Sequence, residues 1–274
     1  MKPVAQTNLQ LYNQLRAQGY SDEQLAVVHR AYEFLITIYP GYYQADGKPF
    51  VAHCVGVASI LGYLNFTIDF VAVGLLHNIY GNGDFGDGLS HVGTKRRRRI
   101  VREAVGEPIE AAIDRFPQCR INQKTSPNLM SHLDQLDEIH KKLIVIDLVD
   151  YLEKYIDLGV CYWGNSRWVT DAVGKHGETL MAIANRLGYP QLATMLKEAF
   201  ARADVAQIPD SLRASSGWQE LDLIVPRSCG RRLRPVLRKQ LNGLWRLLRR
   251  TFRIRPRLRQ LRSAITRLHT IQDS

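Results

Sequence analysis

Several features are scarce or missing in this chain of 274 residues, and each absence narrows the reading. No unbroken apolar run approaches the roughly 20 residues that a membrane-spanning helix needs. The opening stretch, MKPVAQTNLQLYNQLRAQGY, lacks the apolar centre of a secretory signal. The four cysteines, Cys54, Cys119, Cys161 and Cys229, lie far apart and form no C-x-x-C pair, so neither a zinc knot nor a disulfide framework is indicated. A reducing, cytoplasmic setting is the expectation. The body shows no convincing strand alternation, and the chain shows no internal repeat.

Acidic residues are missing from one place in particular. The last 48 residues hold fifteen Lys or Arg and a single acid, Asp273, whereas the first 226 carry slightly more acids than bases. The net charge of +11 therefore belongs to the tail, not to the body. Such asymmetry points to two parts with different tasks.

What is present in the body is helical periodicity. Ser21 is placed to cap a helix whose apolar face holds Leu25, Val28, Ala31, Tyr32, Leu35 and Ile36. GYYQADGKPF reads as a loop, followed by helices over about 51–64 and 68–77 and a glycine-rich loop over 81–88. KRRRRIVREAV and EPIEAAIDRF read as two helices joined at Gly106, with Pro108 near the second start. Residues 117–130 read as a polar loop, and 133–158 as one long helix. Two more helices fit near 176–187 and 190–203. The expected organisation is a helical domain over 1–203, a linker over 204–226 and a basic tail over 227–274.

Four polar residues stand inside segments too apolar to face water: His53, His77, Asn78 and Asp150. A buried carboxylate needs a partner or a metal. Imidazole nitrogen with carboxylate oxygen suits divalent ions such as Mn, Fe or Zn. A hydrogen-bonded core histidine is the plainer alternative, and the spacing does not decide between them. Asp147 lies three residues before Asp150 on the same helical face. It could hold one of the histidines, or bond to a nearby lysine or backbone group. Lys95–Arg99 reads as a solvated helix face; phosphate contact and a nuclear-localisation signal are the other readings.

Three stretches in order, GKPFVAHCVGVASIL, DFVAVGLLHNIYGNGD and VIDLVDYLEKY, resemble the signatures of the HD-domain (p)ppGpp hydrolases of the RelA/SpoT type and their small single-domain relatives. IVREAVGEPIEAAIDRF is similar to the segment between them. The resemblance covers about residues 22–160. It implies an all-α HD-domain bundle in which His53, His77, Asn78 and Asp150 stand at the positions that bind one divalent metal, typically Mn²⁺. Asn78 replaces an aspartate of that set. The water-activating Glu-Asp pair falls on Gly81 and Asn82, which cannot serve as general bases. Asp84 and Asp87 share that loop. The basic loop that contacts guanine reads QADG here, and Lys154 stands where a substrate-binding Asn is expected. The resemblance thus implies a degenerate member: a binding or regulatory module with a weakened or lost metal site and little or no phosphohydrolase activity. One rival is a working metal-dependent phosphohydrolase acting on a nucleotide or related phosphoester. Another is a membrane-recruited scaffold with a vestigial pocket. A nucleotide or other phosphorylated small molecule is the implied partner.

In the tail, PVLRKQLNGLWRLLRRTFR (235–253) sorts Leu237, Leu241, Leu244, Trp245, Leu248 and Phe252 to one side of a helix and its cations to the other. A basic amphipathic helix of this kind suits a peripheral anionic membrane surface. Docking on protein and binding to nucleic acid are the alternatives. The tail is too short to be a synthetase domain.

Overall fold

The computed structural model describes residues 3–44, 46–89, 92–122, 125–163, 175–213, 222–223 and 241. Apart from Leu241, which is exposed, the tail helix read over 235–253 lies outside the described residues. The body is all-α, as the periodicity indicates. Its helices are α1 (Asn8–Ala17), α2 (Asp22–Ile38), α3 (Phe50–Tyr63), α4 (Ile68–Leu76), α5 (Ile79–Asn82), α6 (Lys95–Val105), α7 (Glu107–Arg115), α8 (Ser126–His132), α9 (Glu138–Ile156), α10 (Gly159–Tyr162), α11 (Lys175–Arg186) and α12 (Pro190–Val205). No described helix is long and apolar enough to cross a membrane.

The helix starts are set by local chemistry. Thr7 with Gln10, and Ser21 with Gln24, form reciprocal capping boxes at α1 and α2. Thr94 caps α6 through the Arg97 N–H, and Asp137 caps α9 through that of His140. Gly106, at φ +92°, makes the break between α6 and α7 that a side chain would resist.

The core wraps α3, which packs against α1, α4 and α9, while α2 also packs against α4. Eleven residues of α3 are buried, from Phe50 to Gly62, so no broad face of it meets water. α1 is clipped to it by a buried polar knot. Ser59 Oγ accepts the Ala5 N–H at 3.0 Å and donates to Gln14 Oε1, and Gln14 also donates to the Ser59 carbonyl at 2.8 Å. α3 and α4 approach closely at Gly74, where a Cβ would come within 2.4 Å of Leu61 Cδ1.

Several expectations are corrected. Ile36 is 38% exposed and Ile38 is buried in its place, because the apolar stripe of α2 follows Val28, Ala31, Leu35 and Ile38. The polar stretch 117–130 is not all loop: it contains a 3-10 turn at Phe116–Gln118 and most of α8, opened at its start by Pro127. The long helix begins at Glu138, not at 133, since Asp137 caps it and Leu133–Gln135 forms its own 3-10 turn. The glycine-rich loop begins with a helical turn, α5. The linker loses residues 204–205 to α12, and within it Asp222–Leu223 forms a two-residue strand β2, antiparallel to β1 (Tyr42–Tyr43). The cationic run is not one solvated face. Arg97 is buried, its guanidinium 4.6 Å over the Phe85 ring and donating to the Val92 carbonyl. Arg98 of the run, with Arg102 beyond it, grips the buried Glu110 of α7 from 2.8 and 3.0 Å and so fastens α6 to α7. Lys95, Arg96 and Arg99 remain exposed.

Candidate metal centre

His53, His77 and Asp150 reach one place from three separate helices. His53 sits one turn into α3, His77 is the residue on which α4 ends, and Asp150 lies in the buried second half of α9. All three are buried. One ligand atom from each lies within 4.8 Å of the others, so the group can hold a metal ion.

Hydrogen bonding fixes which atoms face inward. α4 stops at Leu76, leaving its last carbonyls without helical donors. His77 turns back and donates Nδ1–H to the Gly74 carbonyl at 2.7 Å, which leaves Nε2 as the acceptor atom, 3.5 Å from Asp150 Oδ1. His53 Nδ1–H donates to Glu153 Oε2, so its Nε2 lone pair also faces Asp150 Oδ1, at 3.0 Å. Neither His53 Nε2 nor Asp150 Oδ1 has a hydrogen-bond partner. Three ligand atoms converge on one point, and either a metal ion or a proton on His53 Nε2 makes the contact with Asp150 Oδ1 attractive. Ligands about 2.0–2.2 Å from one ion subtend edges of about 3.0–3.5 Å at tetrahedral or octahedral angles, which fits the two distances to Asp150.

Asn78, the fourth expected ligand, is half-buried beside this point with its amide oriented otherwise. Its Nδ2 donates to His77 Nε2 at 2.6 Å, and its Oδ1 accepts from Arg120 Nη1 at 3.1 Å. Arg120 can only donate, so it holds the oxygen outward and the amide nitrogen against the imidazole. A bound ion would have to displace that contact. Gly81 and Asn82 lie on α5, and a Cβ at Gly81 would meet nothing within 4 Å.

Charges surround the centre in pairs. Asp150 Oδ2 takes Lys154 Nζ at 2.7 Å and Arg120 Nη2 at 3.5 Å. Asp147 does not hold a histidine: its Oδ2 accepts the Ile121 N–H at 2.7 Å, and Oδ1 faces Arg120 Nε at 3.4 Å. Glu153 is buried between His53 and Lys48, and Lys48 reaches on to Asp157 at 2.8 Å. Each inner carboxylate therefore has a cation of its own.

These contacts shift the ionisable groups. Burial alone would raise the Asp150 carboxyl, yet Lys154, His53 and His77 outweigh it and hold its pKa well below the usual range. Burial opposes charge on His53, but the Glu153 and Asp150 carboxylates more than offset this, so its pKa is raised. His77, with a weaker claim on Asp150, is lowered by burial. Burial pushes Asp147 up to about 6, Arg120 pulling against it.

Three residues of this centre are absent from the sequence expectation: Lys48, Arg120 and Glu153. Glu153 had a signal, since 147, 150 and 153 fall at three-residue spacing on one face of an apolar helix. Arg120 comes from the polar stretch before α8, where periodicity carries no information. It also lines a cavity of about 200 Å³ together with Cys119, Asn128, Leu129 and His140.

No curated protein matches the chain. Residues 34–120 match the model of a family described as a domain of unknown function, DUF6817. The matched span includes both histidines, Asn78 and Arg120, and ends before Asp150 and Glu153.

Proposed function

We propose that this protein is a degenerate HD-type module: a pocket that binds a divalent metal weakly, with Mn²⁺ the expected ion, and serves binding or regulation rather than phosphoester hydrolysis. The observation that carries the metal reading is the convergence of His53 Nε2, His77 Nε2 and Asp150 Oδ1, two of them buried without hydrogen-bond partners. A metal held there would act as a Lewis acid toward a phosphoryl oxygen. Two further observations support weakness. The fourth position is a neutral amide held by Arg120, and Lys154 and Arg120 already answer the charge of Asp150. A dication entering this site gains less Coulomb energy than it would beside an uncompensated carboxylate.

The residues on α5 support the reading of little or no hydrolysis. Water needs a base to become a nucleophile, a contribution of about 10²–10⁴ in rate. Gly81 has no side chain and Asn82 has no basic one. Arg120 lines the neighbouring cavity and is the group there that would pair with the phosphate of a phosphorylated ligand.

The test is metal analysis of the purified protein, followed by Mn²⁺ titration. Saturable binding at one ion per chain, abolished by His53→Ala, is expected. Incubation with ppGpp and Mn²⁺ is expected to release no pyrophosphate. Turnover above background that His53→Ala removes would overturn the degenerate reading. Absence of any Mn²⁺ binding would favour a metal-free pocket whose positive charge comes from Lys154 and Arg120.

A further inference from the structure

Glu153 occupies an unusual place. It is buried, on the same face of α9 as Asp150, and lies against α3 at Gly56, where a Cβ would come 2.7 Å from Oε1 and 2.8 Å from Cγ. Only glycine leaves room for this carboxylate between the helices. Its two oxygens are used separately: Oε2 accepts His53 Nδ1–H, and Oε1 accepts from Lys48 Nζ. Lys48 is itself anchored on its far side by Asp157, 2.8 Å away. From the half-exposed Asp157 to the buried imidazole, the groups form one continuous line.

We infer that Glu153 acts as a positioning residue that sets the tautomer of His53, keeping its ring proton on Nδ1 so that the Nε2 lone pair is presented to a metal, while Lys48 fixes which atom of residue 153 faces the ring. This inference rests on the metal reading above for its consequence, but not for the tautomer itself. A carboxylate can only accept, so Nδ1 must donate to it. The partner of the non-ligating nitrogen decides which nitrogen is free for the ion. Lys48 adds direction. An ammonium can only donate, so it claims one oxygen of residue 153 whatever that residue is. With a carboxylate the other atom is again an acceptor. With an amide, the other atom is an NH₂ group.

The relay therefore makes an unusual prediction for the isosteric variant Glu153→Gln. Lys48 takes the amide oxygen, the NH₂ faces His53 Nδ1, and the ring proton moves to Nε2, into the metal position. Removing Lys48 as well, in the double variant with Lys48→Met, frees the amide to turn its oxygen toward His53. A purely structural role for Glu153 gives the opposite order, since losing a second partner adds damage.

The experiment uses the full chain labelled with ¹⁵N-histidine. Long-range ¹H–¹⁵N correlation above the end of the His53 titration reads the tautomer without metal, and Mn²⁺ titration reads affinity. Expected are Nδ1–H in the native protein and in Lys48→Met, and Nε2–H in Glu153→Gln. Mn²⁺ affinity should fall by about 10–100-fold in Glu153→Gln, stay within a few fold in Lys48→Met, and recover in the double variant. Nε2–H in the native protein overturns the inference even if Glu153→Gln fails to fold. So does a double variant that binds no better than Glu153→Gln. If the native protein binds no Mn²⁺, the metal reading fails while the tautomer comparison still decides the relay.

Discussion

Gly56→Ala sets two known effects of opposite sign against each other at one position. In the interior of a helix, replacing glycine by alanine stabilises by about 1 kcal/mol. Here the added methyl would fall 2.7 Å from Glu153 Oε1, 2.8 Å from Cγ and 3.1 Å from Cδ. The carboxylate cannot withdraw freely, because His53 and Lys48 hold its two oxygens. Overpacking of a rigid neighbour costs about 1–3 kcal/mol, and weakening charged hydrogen bonds costs about 1.5–3 kcal/mol. The net expectation is a loss of about 2–4 kcal/mol, or a fall in Tm of about 5–12 °C for a domain of this size. Thermal unfolding followed by circular dichroism reads it directly. Gly81→Ala is the internal control, since nothing lies within 4 Å of its added methyl, and it should be neutral or slightly stabilising. In a Glu153→Ala background the penalty at Gly56 should vanish, because the clashing group is gone. A Tm for Gly56→Ala at or above that of the native protein would refute the reasoning, as would a penalty unchanged by Glu153→Ala.

Two further outcomes test the electrostatics. Asp147 has its pKa pushed up to about 6 by burial, above the unfolded value of about 3.9, so the fold favours its neutral form. The stability it contributes is complete below about pH 4 and is lost as pH rises through 6. Asp147→Asn should therefore gain about 2 kcal/mol relative to the native protein between pH 4.5 and pH 8, measured by denaturant unfolding. An unchanged difference would show that Asp147 does not titrate there. Lys154→Asn removes the ammonium 2.7 Å from Asp150. The metal-free protein should lose about 3 kcal/mol because a buried carboxylate loses its partner. Mn²⁺ affinity should rise at least about tenfold, giving a larger metal-induced shift in Tm; a fall in affinity would contradict the view that Lys154 competes with the ion.

The helical fold leaves a periodic trace, and His53, His77 and Asp150 stand out as polar residues in apolar helices, but spacing does not name them as a ligand set; the resemblance does. A polar residue in an otherwise apolar helix stands out, and three such helices in one bundle tend to point inward. Ile36 and Ile38 show the limit of that reading. Both are apolar, two residues apart, and only the packing of α2 on α4 decides which is buried. Arg120 was illegible for a different reason. It belongs to an irregular segment, and what brings it to Asn78, Asp147 and Asp150 is the path of the chain after α7 rather than any spacing. Lys48 was hidden likewise, in a loop whose approach to Glu153 is fixed by tertiary structure. The three candidate ligands stand out, while the residues that orient and neutralise them do not.

The burial of α3 on all sides governs where this molecule can record selection for activity. A saturation scan should find the helix intolerant at nearly every position, so intolerance at His53 will be indistinguishable from that at Cys54 or Val55. Constraint becomes informative only where packing demands little. Lys48 and Arg120 come nearest to such places: both reach water, and the exchanges Lys48→Arg and Arg120→Lys keep the charge that Glu153, Asp147 and Asp150 need. If substitutions at these two positions impair the protein in a cell while leaving its melting temperature alone, the impairment will report on what the pocket does rather than on whether the chain folds.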